Sequence, residues 1–340
     1  MAGKITLKTL SERLSLSKMA VSNAIHGKPG VSEETRRRVL ALADELGYRP
    51  DGIAQSLRAS ETKTLGLVIA DSALSLFAPI IDGVEKTAAE YGYQIILVNA
   101  RSNAGEEQKA VRTLVGKRID GMLLANSMLT SGKYKVFLDG MDVPYLYLVR
   151  RCGYRDGDYV VSNNTDSCRE MVMFMIDKCG GKRGSRAPRI HFFNLPEAIT
   201  TAVDRLKGYR QALAVCGLVY DEGLVFNIPP TIGAGYEKII ELLDRGEKAG
   251  AVFCGCDMIA VGVMQGLKER GLSVPGDVRV AAHDDIEMSQ YLSVPLTTIR
   301  APLHEIAALG TRELIVKIQS GAGRPIRKVL PSTLVFRDSV

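Results

Sequence analysis

The residue types and spacings best suited to chemistry with another molecule lie in the first sixty positions of this 340-residue chain. Lys18 can donate to guanine O6 and N7 or to a phosphate, Asn23 has the paired donor and acceptor that match adenine N6 and N7, and Met19 offers an apolar contact for a thymine methyl group. Catalysis, by contrast, has no visible machinery. The four histidines, His26, His191, His283 and His304, include no i, i+4 pair for a zinc helix, and the consecutive run His283-Asp284-Asp285 cannot turn all three side chains to one metal. Cys254 and Cys256 are one residue apart, which fits neither a zinc nor a thiol-redox motif and reads as strand packing. Gly180-Gly181-Lys182-Arg183-Gly184-Ser185 lacks the spacing of a phosphate loop, Gly233-Ala234-Gly235 lacks the third glycine of a dinucleotide fingerprint, and no Gly-x-Ser-x-Gly elbow occurs. The chain is therefore expected to be no enzyme and to need no metal or cofactor.

Three short helices are expected to position the base-reading set. Thr6 caps the first, whose Leu7, Leu10 and Leu14 fall on one face. Ser17 caps a second over Lys18 to His26, with Val21 and Ile25 inward, and Gly27 to Gly30 end it. Ser32 caps a third, with Glu33 and Glu34 in its positive first turn, a stripe of Val39, Leu42, Ala43 and Leu46, and Gly47 as its stop. Two helices joined by so short a turn make a helix-turn-helix, which presents the N-terminal residues of its second helix to the major groove. A small bundle with a polar outer face has the same pattern. Charge bears on the choice: residues 1–60 carry ten Lys and Arg against six Asp and Glu, while residues 61–340 carry 34 against 32. The excess of a net +6 thus gathers where a nucleic acid would be met, although a solvated helical face is charged in the same way.

The next segment is more specific. Val31-Ser32-Glu33-Glu34-Thr35-Arg36-Arg37-Arg38-Val39, Gly47-Tyr48-Arg49-Pro50 and Asp51-Gly52-Ile53-Ala54-Gln55-Ser56-Leu57-Arg58 resemble the headpiece and hinge of the lactose-repressor (LacI/GalR) family of bacterial transcription regulators, and the resemblance runs along essentially the whole chain. It implies a hinge helix that folds on operator DNA and wedges Leu57 into a minor-groove base step. Ala54 shares that helix face, and Gln55 and Arg58 reach the groove walls. The implied DNA-binding set is Thr6, Ser17, Lys18, Met19, Ser22, Asn23, His26, Ala54, Gln55, Leu57 and Arg58. Two positions depart from the family pattern: Ser15 stands where the turn usually has glycine, and Asn23 replaces a frequent arginine or histidine.

Beyond Thr64, short apolar runs alternate with helical patterns. The runs Leu65–Ile69, Gln94–Val98, Gly121–Leu124 and Tyr145–Val149 form one series, and Arg189–Phe193, Leu224–Phe226, Ala251–Cys254 and Val278–Ala281 a second. Strands buried on both faces of a parallel sheet read this way. The expected fold is an all-α helix-turn-helix headpiece (1–48), a hinge and linker (49–63), and an α/β core. That core is periplasmic-binding-protein-like and has two doubly wound parallel-sheet subdomains, 64–161 plus 293–324 and 162–292 plus 325–340. The resemblance implies three crossings between them, near Val161, Leu292 and Arg324.

Ligands in such sheets lie beyond the strand carboxyl ends. That rule nominates Asp71 and Ser72 after the first strand, Phe77 at the following helix, Asn126 after the third strand, Arg150 after the fourth, and Asp257 after Cys254-Gly255-Cys256. The family resemblance adds Arg205, within Asp204-Arg205-Leu206-Lys207-Gly208-Tyr209, and Asp284. Ala282-His283 replaces the family's glycine and aromatic, Cys256 its asparagine or glycine, and Val149 a frequent aspartate. Loss of that acceptor beside Arg150 and Arg151 favours an anionic effector, a sugar acid or sugar phosphate, over a neutral sugar.

At 46% hydrophobic and 24% charged, the composition suits a folded chain of two or three units. Six cysteines without a framework of short spacings suit reduced thiols and a cytoplasmic setting. There is no export signal and no apolar run of membrane-spanning length. The reading is an effector-controlled repressor, a homodimer on a near-palindromic double-stranded operator, with a carbohydrate-derived ligand and no membrane. A solute-sensing protein without a DNA role would suit the core alone.

Overall fold

The computed structural model describes residues 5–48, 61–125, 132–151, 157–180, 189–321 and 324–340. The chain divides into two compact units, Met1–Thr62 and Lys63–Val340.

In the first unit, α1 (Leu7–Leu14), α2 (Lys18–Ile25) and α3 (Glu33–Glu45) pack around Leu10, Val21, Ala24, Val39 and Ala43. Each helix starts on a hydroxyl that takes an otherwise orphaned N–H: Thr6 from Thr9, Ser17 from Ala20 and Ser32 from Thr35. Ala24 completes the inner face of α2, while Ile25 is only half-buried. The turn between α1 and α2 is built without glycine: Ser15 itself takes the left-handed conformation, with φ 53° and ψ 39°. The N–H of Leu16 then closes the turn on the Ser11 carbonyl.

The second unit holds two six-stranded sheets. The first contains β1 (Thr64–Ile69), β2 (Gln94–Asn99), β3 (Gly121–Leu124), β4 (Tyr145–Leu148), β5 (Tyr159–Ser162) and β11 (Arg327–Leu330), in the order β11-β5-β4-β3-β1-β2, all parallel. The second contains β6 (Ile190–Asn194), β7 (Val225–Asn227), β8 (Ala251–Cys254), β9 (Arg279–His283), β10 (Thr297–Arg300) and β12 (Thr333–Val335), in the order β12-β10-β9-β8-β6-β7; only β10 and β12 run antiparallel. Central strands such as β3, β6 and β8 are buried throughout, as strands covered by helices on both faces must be. On the first sheet lie α4 (Ala78–Glu90), α5 (Ala104–Gly116), α6 (Gly132–Asp139) and α11 (Leu303–Ser320); on the second lie α7 (Asn164–Lys178), α8 (Thr200–Val215), α9 (Ile232–Asp244) and α10 (Asp257–Glu269).

Two crossings differ from expectation. The first, between β5 and α7, lies beside the expected Val161. The second follows Arg300 rather than Leu292, because Thr297–Arg300 pairs with β9 and β12 in the second sheet. The third follows Leu330 rather than Arg324, because Arg327–Leu330 joins the edge of the first sheet beside β5. That strand is largely exposed and begins Arg-Lys, so it lacks the apolar run that marks a central strand. Residues 297–300 and 327–330 thus exchange subdomains relative to the expected division.

Candidate DNA-reading helix and ligand cavity

On α2 the side chains nominated for base reading have unequal freedom. Lys18 is exposed and Met19 is 71% exposed, an unusual position for a large apolar side chain with nothing of its own unit to cover it. The first turn of α2 carries no carboxylate, so its partial positive charge and Lys18 add to one another. Thr6 and Ser17 are engaged as helix caps. Asn23 donates from Nδ2 to the Pro29 carbonyl at 3.3 Å, and His26 Nδ1 donates to the Ser22 carbonyl at 2.6 Å. Arg36 donates to the Lys28 carbonyl at 3.0 Å. Asn23 and Arg36 together fix the loop after α2, and Asn23 therefore already has a structural task. Ala54, Gln55, Leu57 and Arg58 lie outside the described residues.

In the second unit a cavity of about 380 Å³ lies beyond the carboxyl ends of both sheets. Segments after β1, β2 and β4 line one side, with Ser162 and Ala301–Leu303; segments after β6, β7, β8 and β9 and the start of α8 line the other. Its size and position are those of a small-molecule site at a topological switch point.

Three nominated residues meet there: Arg150, Arg205 and Asp284. Arg205 is 5% exposed and held on three sides: Nε donates to Asn164 Oδ1 at 3.0 Å, Nη1 donates to the Gly255 carbonyl, and Nη2 lies 3.5 Å from Asp284 Oδ1. Asp284 also meets His283 Nδ1 at 3.0 Å. Burial, with the Arg205 guanidinium nearby, pushes the fully buried His283 imidazole down to about 4, so it is neutral and its Nδ1 donates to the carboxylate. Arg150 follows a tight turn in which its own N–H bonds to the Leu148 carbonyl at 2.6 Å and Val149 takes φ 64°. A β-branched residue at positive φ is strained, and the residue that follows this turn, Arg150, lines the cavity. Burial and Arg205 lower the Arg150 pKa to about 10, which leaves it charged at neutral pH.

Other nominations are placed elsewhere. Phe77 is 1% exposed and packs in the core under α4. Asp257 is fully buried, and its oxygens accept from the Ile286 N–H at 2.9 Å, the Ser289 hydroxyl at 2.5 Å and the Thr298 hydroxyl at 2.6 Å. It ties the loop carrying Ile286 and Met288 to the head of α10 and does not line the cavity. Asp71 turns back on the Ala73 N–H, and Ser72 pairs with Asn99. Asn126 lies outside the described residues. Arg151 leans over the Tyr159 ring and also stays off the lining.

Most of the lining was not nominated: Leu74, Leu76, Leu195, Pro196, Ile199, Pro229, Pro230, Met258, Ile286, Met288 and Leu303. The only signal for these was position just after a strand, since an apolar side chain facing a cleft has the same residue type as one facing the core. Among the described residues no three His, Cys, Asp or Glu side chains could hold a metal ion, and no helix is long and apolar enough to cross a membrane.

A model of bacterial regulatory proteins of the lacI family matches residues 7–51, and one of periplasmic binding protein-like domains matches residues 183–340. The chain is 30% identical over 333 residues to the HTH-type transcriptional repressor PurR of Glaesserella parasuis serovar 5 (strain SH0165), covering 97% of this chain and 95% of that protein. A solved complex of the transcriptional regulator CelR with cellobiose is 30% identical, with a TM-score of 0.75 over 99% of this chain and 100% of that one. The lac repressor dimer bound to operator and the anti-inducer ONPF has a TM-score of 0.88 over 99% of each chain at 23% identity, and shares the fold. The relatives compared are transcription regulators, not enzymes.

Proposed function

The chain belongs to the lacI family of bacterial regulatory proteins, and from that membership we propose that it is a transcription repressor. It reads operator DNA through α2 and answers to a small molecule held in the cavity between its two lobes. The observation that carries this reading is the free N-terminal face of α2, where Lys18 and Met19 stand exposed within the segment matched to the family's DNA-binding domain. Residues 1–48 act as headpiece, 49–63 as hinge, and the two sheets with their helices as a sensor that opens and closes about its crossings. A homodimer sets two α2 helices in adjacent major grooves of a near-palindromic site, while Ala54, Gln55, Leu57 and Arg58 of each hinge engage the minor groove between them. The lac repressor dimer on its operator supports this assembly by shared fold. The setting is the cytoplasm, where the DNA is.

The cellobiose complex of CelR supports a carbohydrate-derived effector. The pairing of Arg150 and Arg205 with Asp284, the one lining carboxylate among the described residues, supports an anionic one, of which sugar acids and sugar phosphates are the carbohydrate forms. A salt titration tests the DNA half. Selected near-palindromic duplexes should bind the full chain with a logarithmic salt slope of roughly −0.9 per phosphate contacted. Failure to bind any duplex at low salt would remove the repressor reading.

A further inference from the structure

We infer that Met19 is an oxidation site through which peroxide weakens operator recognition: conversion to methionine sulfoxide, on the exposed face of α2, removes the apolar contact offered to a thymine methyl group. The inference rests on reading α2 as the helix that meets the operator.

The sulfur atoms of the chain single out this side chain. Among the described methionines only Met19, at 71%, and Met288, at 43%, are exposed; the others are buried or half-buried. Cysteines compete for peroxide as thiolates, and burial keeps the thiols of the described cysteines protonated. Those of Cys168 and Cys256 are pushed up to about 12, and those of Cys179, Cys216 and Cys254 are also raised. A thioether has no proton to lose, so its oxidation follows exposure.

The step is an oxygen transfer. Met19 Sδ attacks one oxygen of hydrogen peroxide, and the S–O bond forms as the O–O bond breaks. Sulfur is oxidised by two electrons, and the departing hydroxide takes the remaining proton and leaves as water. The product is a polar side chain where an apolar one stood. Met19 lies in the first turn of α2, the end of such a helix that faces base edges. There the sulfoxide brings an acceptor and no donor. Thymine offers it a methyl group and the O4 acceptor, neither of which can pair with it, whereas cytosine offers the N4 donor. Oxidation therefore strikes base discrimination and leaves phosphate-driven, non-specific binding in place.

The test measures binding of the full chain to its selected operator and to an unrelated duplex, before and after hydrogen peroxide, with peptide mass spectrometry to locate the sulfoxides. The oxidised chain should bind the operator about tenfold more weakly, the cost of one mismatched base pair, and the unrelated duplex as before. Methionine sulfoxide reductases for both epimers should restore operator affinity. Bound operator should slow the oxidation of Met19 relative to that of Met288, because a side chain held against bases is closed to peroxide. Met19→Leu, compared with itself before and after peroxide on whatever operator it selects, should lose the sensitivity. Unchanged operator affinity with Met19 fully oxidised overturns the inference. So does a sensitivity that Met19→Leu retains, or an equal loss on both duplexes, which would place the damage in folding. Should Met19→Leu bind no duplex, protection decides: Met19 oxidised as fast with operator as without it overturns the inference. Failure of the unoxidised chain to bind any duplex at low salt removes the repressor reading, and the inference with it.

Discussion

Three side chains set the headpiece turn and the pH response of the core. Ser15 holds the left-handed position between α1 and α2 that glycine fills without steric cost. Ser15→Gly should therefore stabilise the headpiece by about 1 kcal/mol, read as slower amide exchange in α1–α3 of the full chain; faster exchange would mean that serine supplies a contact worth more than its strain. In the buried core, His283 and Asp257 impose opposite pH dependences. The imidazole falls from 6.5 to about 4 on folding, so its contribution is complete above 6.5 and is lost as pH drops toward 4. The Asp257 carboxyl rises from 3.8 to about 7, because burial and the neighbouring Asp284 outweigh its three donors, so its contribution is complete below 3.8 and is lost as pH climbs through 7. Urea midpoints of the core should thus change little between pH 4.5 and 6.5. They should fall with rising pH in His283→Gln and rise with it in Asp257→Asn, and slopes of the same sign in both variants would refute the pairing.

Among the elements, α2 and the α9–α10 pair carry separable duties. If Lys18 binds a phosphate, Lys18→Gln should weaken all duplexes alike and reduce the salt slope by about one; if it reads guanine, one base position should lose about 1–3 kcal/mol of discrimination. Equal affinity and slope before and after would take Lys18 out of the interface. In the core, α9 and α10 touch backbone to backbone. A Cβ on Gly262 would lie 1.9 Å from the Ile232 carbonyl oxygen, and one on Gly235 2.2 Å from that of Ile259. Gly262→Ala should cost about 3 kcal/mol in urea denaturation, by forcing apart helices with no side chain able to give way. A loss below about 0.5 kcal/mol would show that the pair can slide.

At the scale of the whole molecule, the lobes are joined by three crossings and share one cavity, so a ligand that prefers one lobe arrangement must bias whatever else depends on it. A saturating cavity ligand should change the full chain's operator affinity by about 5- to 150-fold, and bound operator should change ligand affinity by the same factor. An unchanged operator affinity would make the core a passive passenger. The elements and their kind are legible in the chain's local pattern: caps at Thr6, Ser17 and Ser32, the helix period of the headpiece, and apolar runs such as Gly121–Leu124 are local signals, set by hydrogen bonds and burial that each segment needs wherever it is placed. The place after a strand marked Arg150, and the family resemblance marked Arg205 and Asp284; all three line the cavity. Long-range packing fixes that Phe77 and Asp257 face inward, that Thr297–Arg300 and Arg327–Leu330 pair with opposite sheets, and that Leu195, Ile199 and Met288 line a cavity. Strand partners and the direction a side chain faces depend on residues far away in the chain, and an aliphatic side chain has the same chemistry whether it meets a neighbour or a ligand.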